Sequence, residues 1–184
     1  VVDMLRPTLP ATIKISTRID KGVGFALGSS AQFHQILMNL GTNSYHAMEN
    51  RGGELEFSLS SVHATRAMLP PGENLRPGKF IRLSDADTGE GIPQEVYEKI
   101  FDPYFTTKKT GKGTGMGLSI VHGIVKSFNG FILSESQVGR GTSFHIYFPE
   151  IDQQSEAASE EVSEKILKGT GTILFVDDEL VLAE

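Results

Sequence analysis

The chain has 184 residues and no cysteine, and 17 Lys and Arg stand against 23 Asp and Glu. The net charge of −6 argues against a broad electrostatic affinity for nucleic acid or an anionic membrane, and the absence of thiols excludes disulfides, thiolate metal sites and cysteine nucleophiles. No window approaches the roughly 18 consecutive apolar residues of a membrane span, so we expect no direct membrane contact by these residues. Twenty glycines, which cluster, suggest backbone contacts with a ligand.

The first part of the chain predicts two strands and a long helix. Residues 1–10 are interpreted as a connector from a domain upstream, since they carry two prolines. Residues 11–28 alternate β-branched and polar side chains, which predicts two strands and a tight turn. Ser29 and Gln32 fit a capping box, and apolar residues at helical spacing then predict a helix as far as about Asn50.

The next part alternates strands with irregular, glycine-punctuated chain. The predicted elements are strands at 54–62 and 79–85, a short helix at 94–99, a helix at 117–128, and strands at 131–137 and 142–148. The segment 87–117 is long and irregular, which in compact domains is usually a sign of function or disorder. The predicted domain spans 11–149, and Pro149 ends it.

The composition changes after Pro149. Residues 150–170 are acidic and polar and contain no aromatic side chain, which predicts a solvated linker. Residues 171–184 open with an apolar run that predicts a buried strand, followed by Asp177 and Asp178. We interpret them as the truncated first strand of a second domain and assign the acidic pair no function here.

Two asparagines form the first candidate site. Asn39 and Asn43 lie four residues apart on the predicted helix and therefore share a face. Carboxamide oxygens suit a hard cation, but two neutral ligands would hold Mg²⁺ weakly unless phosphate oxygens completed the shell. Taken alone, the pair is also explained as two solvent-facing polar positions.

An aspartate at the end of a predicted strand forms the second candidate. Asp87 precedes Gly89 and Gly91, which would let another molecule approach the backbone. A buried carboxylate needs a hydrogen-bond donor, and the exocyclic amine of adenine is one. The alternative for the isolated pattern is an Asp-led turn.

A glycine-rich segment forms the third candidate. Four glycines at alternate positions, 111–117, expose successive amides at the start of a predicted helix, which suits them to hold phosphates. The spacing matches neither the Walker pattern nor the dinucleotide fingerprint. We predict that 104–116 forms a lid that is mobile without nucleotide, with the aromatic run 101–105 serving as core or as a clamp on one end of it. A flexible linker is the alternative.

These motifs, in this order, resemble the catalytic ATP-binding domain of sensor histidine kinases, within the superfamily shared with gyrase-type ATPases. The matching stretches are 35–43 (N box), 87–93 (G1), 101–108 (F box), 111–118 (G2) and 139–144 (G3). The resemblance covers roughly 12–149 and implies an α+β fold, a two-layer α/β sandwich of the Bergerat type with helices on one face of a mixed sheet. The strand near 172–176 similarly resembles the start of a response-regulator receiver, which implies a hybrid kinase.

The resemblance implies ATP and Mg²⁺ as cofactors. The implied ATP-binding residues are Asn39, Asn43, Asp87, Gly89, Gly91, Ile92, Phe105, Thr106, Lys108, Lys112, Gly113, Thr114, Gly115, Met116, Gly117, Leu118 and Thr142. Among them, Asp87 would bind the adenine amine and Asn39 and Asn43 would be the metal ligands. Lys108 and Lys112 are candidates for contacting phosphate.

The implied reaction is phosphoryl transfer from Mg-ATP to a histidine on an upstream dimerisation domain. No histidine of this chain has the acidic neighbour of an acceptor, so we expect no catalytic residue here; the five are His34, His46, His63, His122 and His145. The expected partners are that upstream domain and a receiver domain or response regulator. We expect the full-length protein to be a homodimer and this part of it to be cytoplasmic, with any membrane anchor elsewhere.

Two other functions remain open. A gyrase-like or chaperone-like hydrolytic ATPase would place a Glu base four residues before the asparagine that matches Asn43, and Asn39 stands there instead. A degenerate scaffold that binds no nucleotide is the third possibility, against which the intact glycine motifs and Asp87 argue.

Overall fold

The computed structural model describes residues 5–6, 9–108 and 113–151. Lys112, the predicted linker beyond Ile151 and the predicted receiver strand at 171–184 lie outside the described residues. The elements are β1 (Ile13–Ile19), β2 (Phe25–Ala26), α1 (Ser30–Met48), β3 (Gly53–Ala64), β4 (Gly78–Asp87), α2 (Gln94–Tyr97), α3 (Gly117–Ser127), β5 (Phe131–Gln137) and β6 (Gly141–Ile151). Every predicted strand and helix within the described residues is present, in the predicted order.

The strands form one mixed sheet. Its order is β1-β3-β4-β6-β2, and β5 also pairs with β6. β1 and β3 are parallel, and the other pairs are antiparallel. Because parallel neighbours require a crossover, α1 lies between β1 and β3 along the chain. The helices cover one face of the sheet, which confirms the predicted α+β architecture.

The two predicted strands in 11–28 do not pair with each other. The turn between them exists, with Gly22 at φ +72°. However, β1 pairs along its whole length with β3, whereas β2 pairs with the last two residues of β6. β6 therefore runs two residues past Pro149, where we predicted the domain to end. The seven-residue ladder between β1 and β3 gives β1 more backbone pairing than a two-residue partner could provide.

The start of α1 also differs from the prediction in detail. Ser29 occupies the N-cap position with extended backbone, but its side chain makes no capping bond within the described residues. The capping box with Gln32 is therefore wrong. The Phe33 backbone N–H instead donates to the Ser29 carbonyl oxygen at 3.0 Å, the ordinary first bond of the helix.

Two rows of side chains position the site. On α1 the buried positions 36, 40, 44 and 48 are spaced by four, so they form one stripe against the sheet. On β4 the alternate positions 81, 83, 85 and 87 share one face of the strand. Both rows begin with apolar side chains, and both include polar ones: Ser44 in the helix, and Asp85 and Asp87 in the strand.

Leu5 falls within the segment predicted to be a connector. It is 1% exposed and packs with Ile13, Met48 and Phe57. At this residue the predicted connector therefore contributes to the core under α1. In the described part of the chain, no helix combines the length and the apolar character needed to cross a membrane.

Candidate nucleotide-binding site

A cleft of about 800 Å³ is lined by α1, the end of β4, and the chain on either side of the undescribed residues 109–112. Its volume falls in the range of small-molecule and cofactor sites. The predicted site residues that line it are Asn39, Asn43, Asp87, Gly91, Ile92, Phe105, Thr106, Lys108, Gly113, Thr114, Gly115, Met116, Gly117, Leu118 and Thr142. Motifs that are far apart in the sequence are therefore brought together around one space.

Gly89 is not among the described residues that line the cleft. It packs so closely against Ala47 of α1 that a side chain there would meet Ala47 at 2.6 Å. Its backbone N–H donates to Asp87 Oδ1 at 2.8 Å. Gly89 therefore orients Asp87 and lets the chain pass close to α1, and its predicted contact with ATP stays a prediction.

Asp87 is held from three sides. Its Oδ1 accepts hydrogen bonds from the backbone N–H of Gly89 at 2.8 Å and of Thr142 at 3.3 Å, and its Oδ2 lies 3.3 Å from Ser44 Oγ. Burial raises the pKa of the Asp87 carboxyl, and the three hydrogen bonds oppose that rise. The carboxylate is thus fixed in orientation, and the residue, which is 8% exposed, lines the cleft.

The close approach of β6 to Asp87 requires glycine. Gly141 has φ +113°, and a Cβ atom there would lie 1.9 Å from the Asp87 carbonyl oxygen. This glycine lets the next residue, Thr142, bring its N–H to the Asp87 side chain. The predicted third glycine motif therefore acts as a support for the aspartate.

The two asparagines lie beside the N-terminus of α3. A Cβ atom on Gly117, the first residue of α3, would lie 3.3 Å from Asn39 Oδ1 and 3.7 Å from Asn43 Nδ2. Both carboxamides therefore face the positive end of a helix dipole, and all three residues line the cleft. This helix start, together with the carboxamides, can hold an anion and a cation side by side.

Lys108 brings a positive charge into the same space. Its Nζ donates a hydrogen bond to Asn43 Oδ1 at 3.1 Å. Burial lowers the pKa of the Lys108 ammonium, and the nearby Glu49 carboxylate opposes that fall. The ammonium is thus partly desolvated and close to the amide pair.

The base of the predicted lid is fixed by a backbone contact. Gly115 has φ +67°, and a Cβ atom there would lie 2.4 Å from the Tyr104 carbonyl carbon. Glycine therefore lets the two sides of the segment 104–116 come together. The middle of the predicted lid, 109–112, lies outside the described residues, so its predicted mobility stays a prediction.

The sequence analysis did not single out Ser44, which lines the cleft, or Asp85, which lies behind it. Ser44 Oγ lies 3.0 Å from Asp85 Oδ2 as well as 3.3 Å from Asp87 Oδ2. Asp85 is fully buried. Burial raises the pKa of its carboxyl to about 7, and the nearby charge of Asp87 acts in the same direction. Only the spacing could have indicated these two residues. Ser44 continues the helical row of Ile36 and Leu40, and Asp85 lies two residues before Asp87 on the same face of the strand.

A family profile agrees with this geometry. Residues 28–152 match the family described as histidine kinase-, DNA gyrase B-, and HSP90-like ATPase. The fold is similar to the catalytic domain of the histidine kinase ThkA, with a TM-score of 0.60, 26% identity, and coverage of 81% of this chain and 84% of that one.

Curated relatives agree as well. The chain is 42% identical to the sensor kinase CckA of Brucella abortus (strain 2308), over 156 residues and 80% of this chain. It is 36% identical to the sensory histidine kinase/phosphatase NtrB of Azospirillum brasilense, over 141 residues and 77% of this chain. The matches span 16% and 34% of the lengths of these relatives. The chain belongs to the family of histidine kinase-, DNA gyrase B-, and HSP90-like ATPases, and over 81% of its length its fold is similar to the catalytic domain of a histidine kinase.

Proposed function

We propose that this domain binds Mg-ATP in the cleft and presents the terminal phosphoryl group to a histidine on a separate dimerisation domain. The observation that carries the proposal is the gathering, around one cleft, of a fixed buried carboxylate, two carboxamides, a partly desolvated ammonium and a helix N-terminus. The family binds ATP through such domains. Transfer would depend mainly on positioning and on electrostatic stabilisation of the phosphates.

Adenine recognition is assigned to Asp87. Its Oδ1 is engaged by two backbone N–H groups, and its Oδ2 is bonded on one side by Ser44. An oxygen has two lone pairs, so Oδ2 retains acceptor capacity toward the cleft. The exocyclic amine of adenine is a donor that fits this capacity, whereas the carbonyl of guanine at the same ring position is not.

The phosphate end is assigned to Asn39, Asn43, Lys108 and the start of α3. The donor set fits Mg²⁺, because Asn43 Oδ1 already presents its lone pairs to a cation, the Lys108 ammonium. Asn39 and Asn43 would hold the ion together with phosphate oxygens, and the ion would neutralise phosphate charge. Lys108 and the α3 amides would bind the remaining phosphate oxygens.

Transfer to histidine is favoured over hydrolysis by Asn39. This residue occupies the position at which hydrolytic members of the superfamily are expected to carry a Glu base, and a carboxamide cannot accept a proton from water. The scaffold alternative is disfavoured because Asp87 and both carboxamides line the cleft, and because Gly89 and Gly141 hold Asp87 in place. We further propose that an upstream histidine domain and a receiver or response regulator are the partners, with Mg²⁺ as the metal.

Calorimetric titration of the chain with ADP and Mg²⁺ tests the binding step. We expect saturable heat of binding with one nucleotide per chain, and no heat would establish the scaffold alternative.

Incubation with γ-labelled ATP then tests the reaction: we expect neither autophosphorylation nor rapid phosphate release by the chain alone. Acid-labile label should appear only on a histidine-bearing dimerisation domain supplied in trans, whereas rapid release of phosphate would instead favour hydrolysis.

Lys108→Ala is predicted to weaken ATP binding by about 10- to 100-fold, the usual range for a lost hydrogen bond to a charged group. The partly buried ammonium would otherwise pair with phosphate oxygens, so adenosine, which lacks phosphate, should lose far less affinity. Equilibrium titration with ATP and with adenosine measures both effects.

Lys79→Ala is the matched control for the Lys108 prediction. Lys79 is exposed and does not line the cleft among the described residues, so its loss should change ATP affinity less than twofold. Equal losses in the two variants would mean that general charge, and not a contact in the cleft, holds the phosphates.

A further inference from the structure

Asp85 is an acid in an apolar position of the fold. It is 0% exposed, and its cross-strand neighbours are Phe57 on β3 and Phe144 on β6. Its Oδ1 has no hydrogen-bond partner among the described residues. An ionised carboxylate in this position would leave a charged oxygen buried and unsatisfied, which is far more costly than a buried neutral carbonyl oxygen.

Ser44 lies between Asp85 and the cleft. Its Oγ is 3.0 Å from Asp85 Oδ2 and 3.3 Å from Asp87 Oδ2. A hydroxyl has one hydrogen, so Ser44 can donate to one of these carboxylates and must present a lone pair to the other. If both acids were ionised, one of the two short contacts would bring together two acceptors.

One proton resolves the conflict, and its location follows from the surroundings. Asp87 receives two backbone hydrogen bonds, which stabilise its charged form, whereas Asp85 receives none within the described residues besides its contact with Ser44. The proton therefore belongs on Asp85. In that state the Asp85 O–H donates to Ser44 Oγ, and the Ser44 O–H is free to donate to Asp87 Oδ2.

We propose that neutral Asp85 is a positioning residue for nucleotide recognition: through Ser44 it holds Asp87 ionised and oriented toward the adenine amine. This inference rests on the proposed role of Asp87. Burial raises the pKa of Asp85 into the range where cells maintain their pH, so its proton is lost on moderate alkalinisation. Adenine nucleotide affinity is then expected to fall as pH rises past that point.

Other titratable groups face the same region. β3 and β6 contribute the non-ionisable Phe57 and Phe144 beside Asp85, and β4 contributes Asp87. Further along α1, His46 and Glu49 line the cleft, as does Lys108. The test variants change none of these four groups, so the difference between wild type and variant isolates the effect of residue 85, including its effect on Asp87.

The experiment compares ADP binding with Mg²⁺ by the wild type and by Asp85→Asn between pH 6 and pH 9. The asparagine amide can donate to Ser44 Oγ but cannot ionise. Across this range the wild type should lose affinity by about five- to tenfold more than the variant does, the size expected for one hydrogen bond. Calorimetry near pH 7.5 in buffers of different ionisation enthalpy should also detect proton uptake on binding that is absent from the variant.

Asp85→Leu separates the hydrogen-bond relay from the mere removal of a charge. Leucine has nearly the same shape but cannot donate to Ser44. It should also abolish the proton uptake, yet bind ADP more weakly than Asp85→Asn at every pH. Equal affinities in the two variants would mean that Asp85 does not act through Ser44 and would overturn the proposal.

Failure of this inference is distinguishable from failure of the proposed function. Loss of binding by the wild type at every pH would overturn the assignment of the cleft. Parallel pH profiles and equal proton uptake in wild type and Asp85→Asn would overturn the role of Asp85 alone.

Carboxyl carbon NMR of the nucleotide-free wild type provides a readout that needs neither variant. The Asp85 carboxyl should titrate near neutrality, and a chemical shift showing that it is already fully ionised at pH 5 would contradict the proposal.

Discussion

Asp87→Asn is expected to weaken ADP binding by about 30- to 150-fold while the domain stays folded, corresponding to a loss of about 2–3 kcal/mol. The Asp87 Oδ1 atom accepts two backbone N–H bonds, so the carbonyl oxygen of the asparagine must take that position. The amide NH₂ group is then forced to the Oδ2 position. There it can still donate to Ser44 Oγ, but it meets the adenine amine as donor against donor.

Guanine nucleotides supply the control for the Asp87 prediction. Because guanine carries an acceptor where adenine carries its amine, Asp87→Asn should lose little affinity for GDP, and the preference of the wild type for ADP should collapse. Titration with both nucleotides measures this ratio, and circular dichroism checks the fold. Unchanged ADP affinity in a folded variant would remove Asp87 from the adenine site.

Local patterns in the sequence predicted the elements but not all of their partners. Helical spacing placed α1, and alternation placed β1 and β2, because each pattern arises within a single element. The pairing of β1 with β3 and of β2 with β6 is a long-range choice. It depends on which strands the crossover helix brings together, and nothing within residues 11–28 encodes it.

The cleft was predicted more completely than its support. Asn39 and Asn43 are recognisable because helical spacing puts them on one face, and the glycine segment because alternate glycines seldom open an apolar helix. Ser44 and Asp85, by contrast, each resemble ordinary polar residues in their own element. Their importance appears only when α1 packs on β4 and brings Ser44 Oγ within 3.0 Å of Asp85 Oδ2. The support that Gly89 gives Asp87 was not foreseen for the same reason, since its contact with Ala47 is a tertiary one.

The packing of α1 on β4 links the fold to the site. The same stripe of α1 that buries Ile36 and Leu40 in the core also carries Ser44. The same face of β4 that carries Leu83 also carries Asp85 and Asp87. A shift of the helix along the strand would therefore disrupt apolar packing and the orientation of Asp87 together. The proposed adenine site is in this sense an extension of the core, in which polar side chains replace apolar ones.

Asp85→Asn is expected to stabilise the domain increasingly as pH rises. The wild-type acid has its pKa raised from 3.8 to about 7 in the folded state, so between these values the folded chain binds more protons than the unfolded chain. Its contribution to stability is therefore complete below about pH 4 and is lost as pH rises to about 7. A shift of this size corresponds to a loss of at most about 4 kcal/mol. Asparagine cannot ionise, so the variant should exceed the wild type by about 2–4 kcal/mol at pH 8 and by less than about 1 kcal/mol at pH 4.5.

Urea unfolding of both proteins across this pH range measures the difference directly. The ionisable groups that do not contact residue 85 are the same in both chains, so the comparison reports on Asp85 together with Asp87, to which Ser44 couples it. Asp20→Asn is the matched control, because Asp20 is exposed and its loss should leave the wild-type pH profile unchanged. Parallel stability curves for wild type and Asp85→Asn would show that Asp85 is ionised throughout or equally solvated in both states. Divergence with the predicted sign would show that the fold loses stability at and above neutral pH because it buries an acid behind Asp87, the residue proposed to bind adenine.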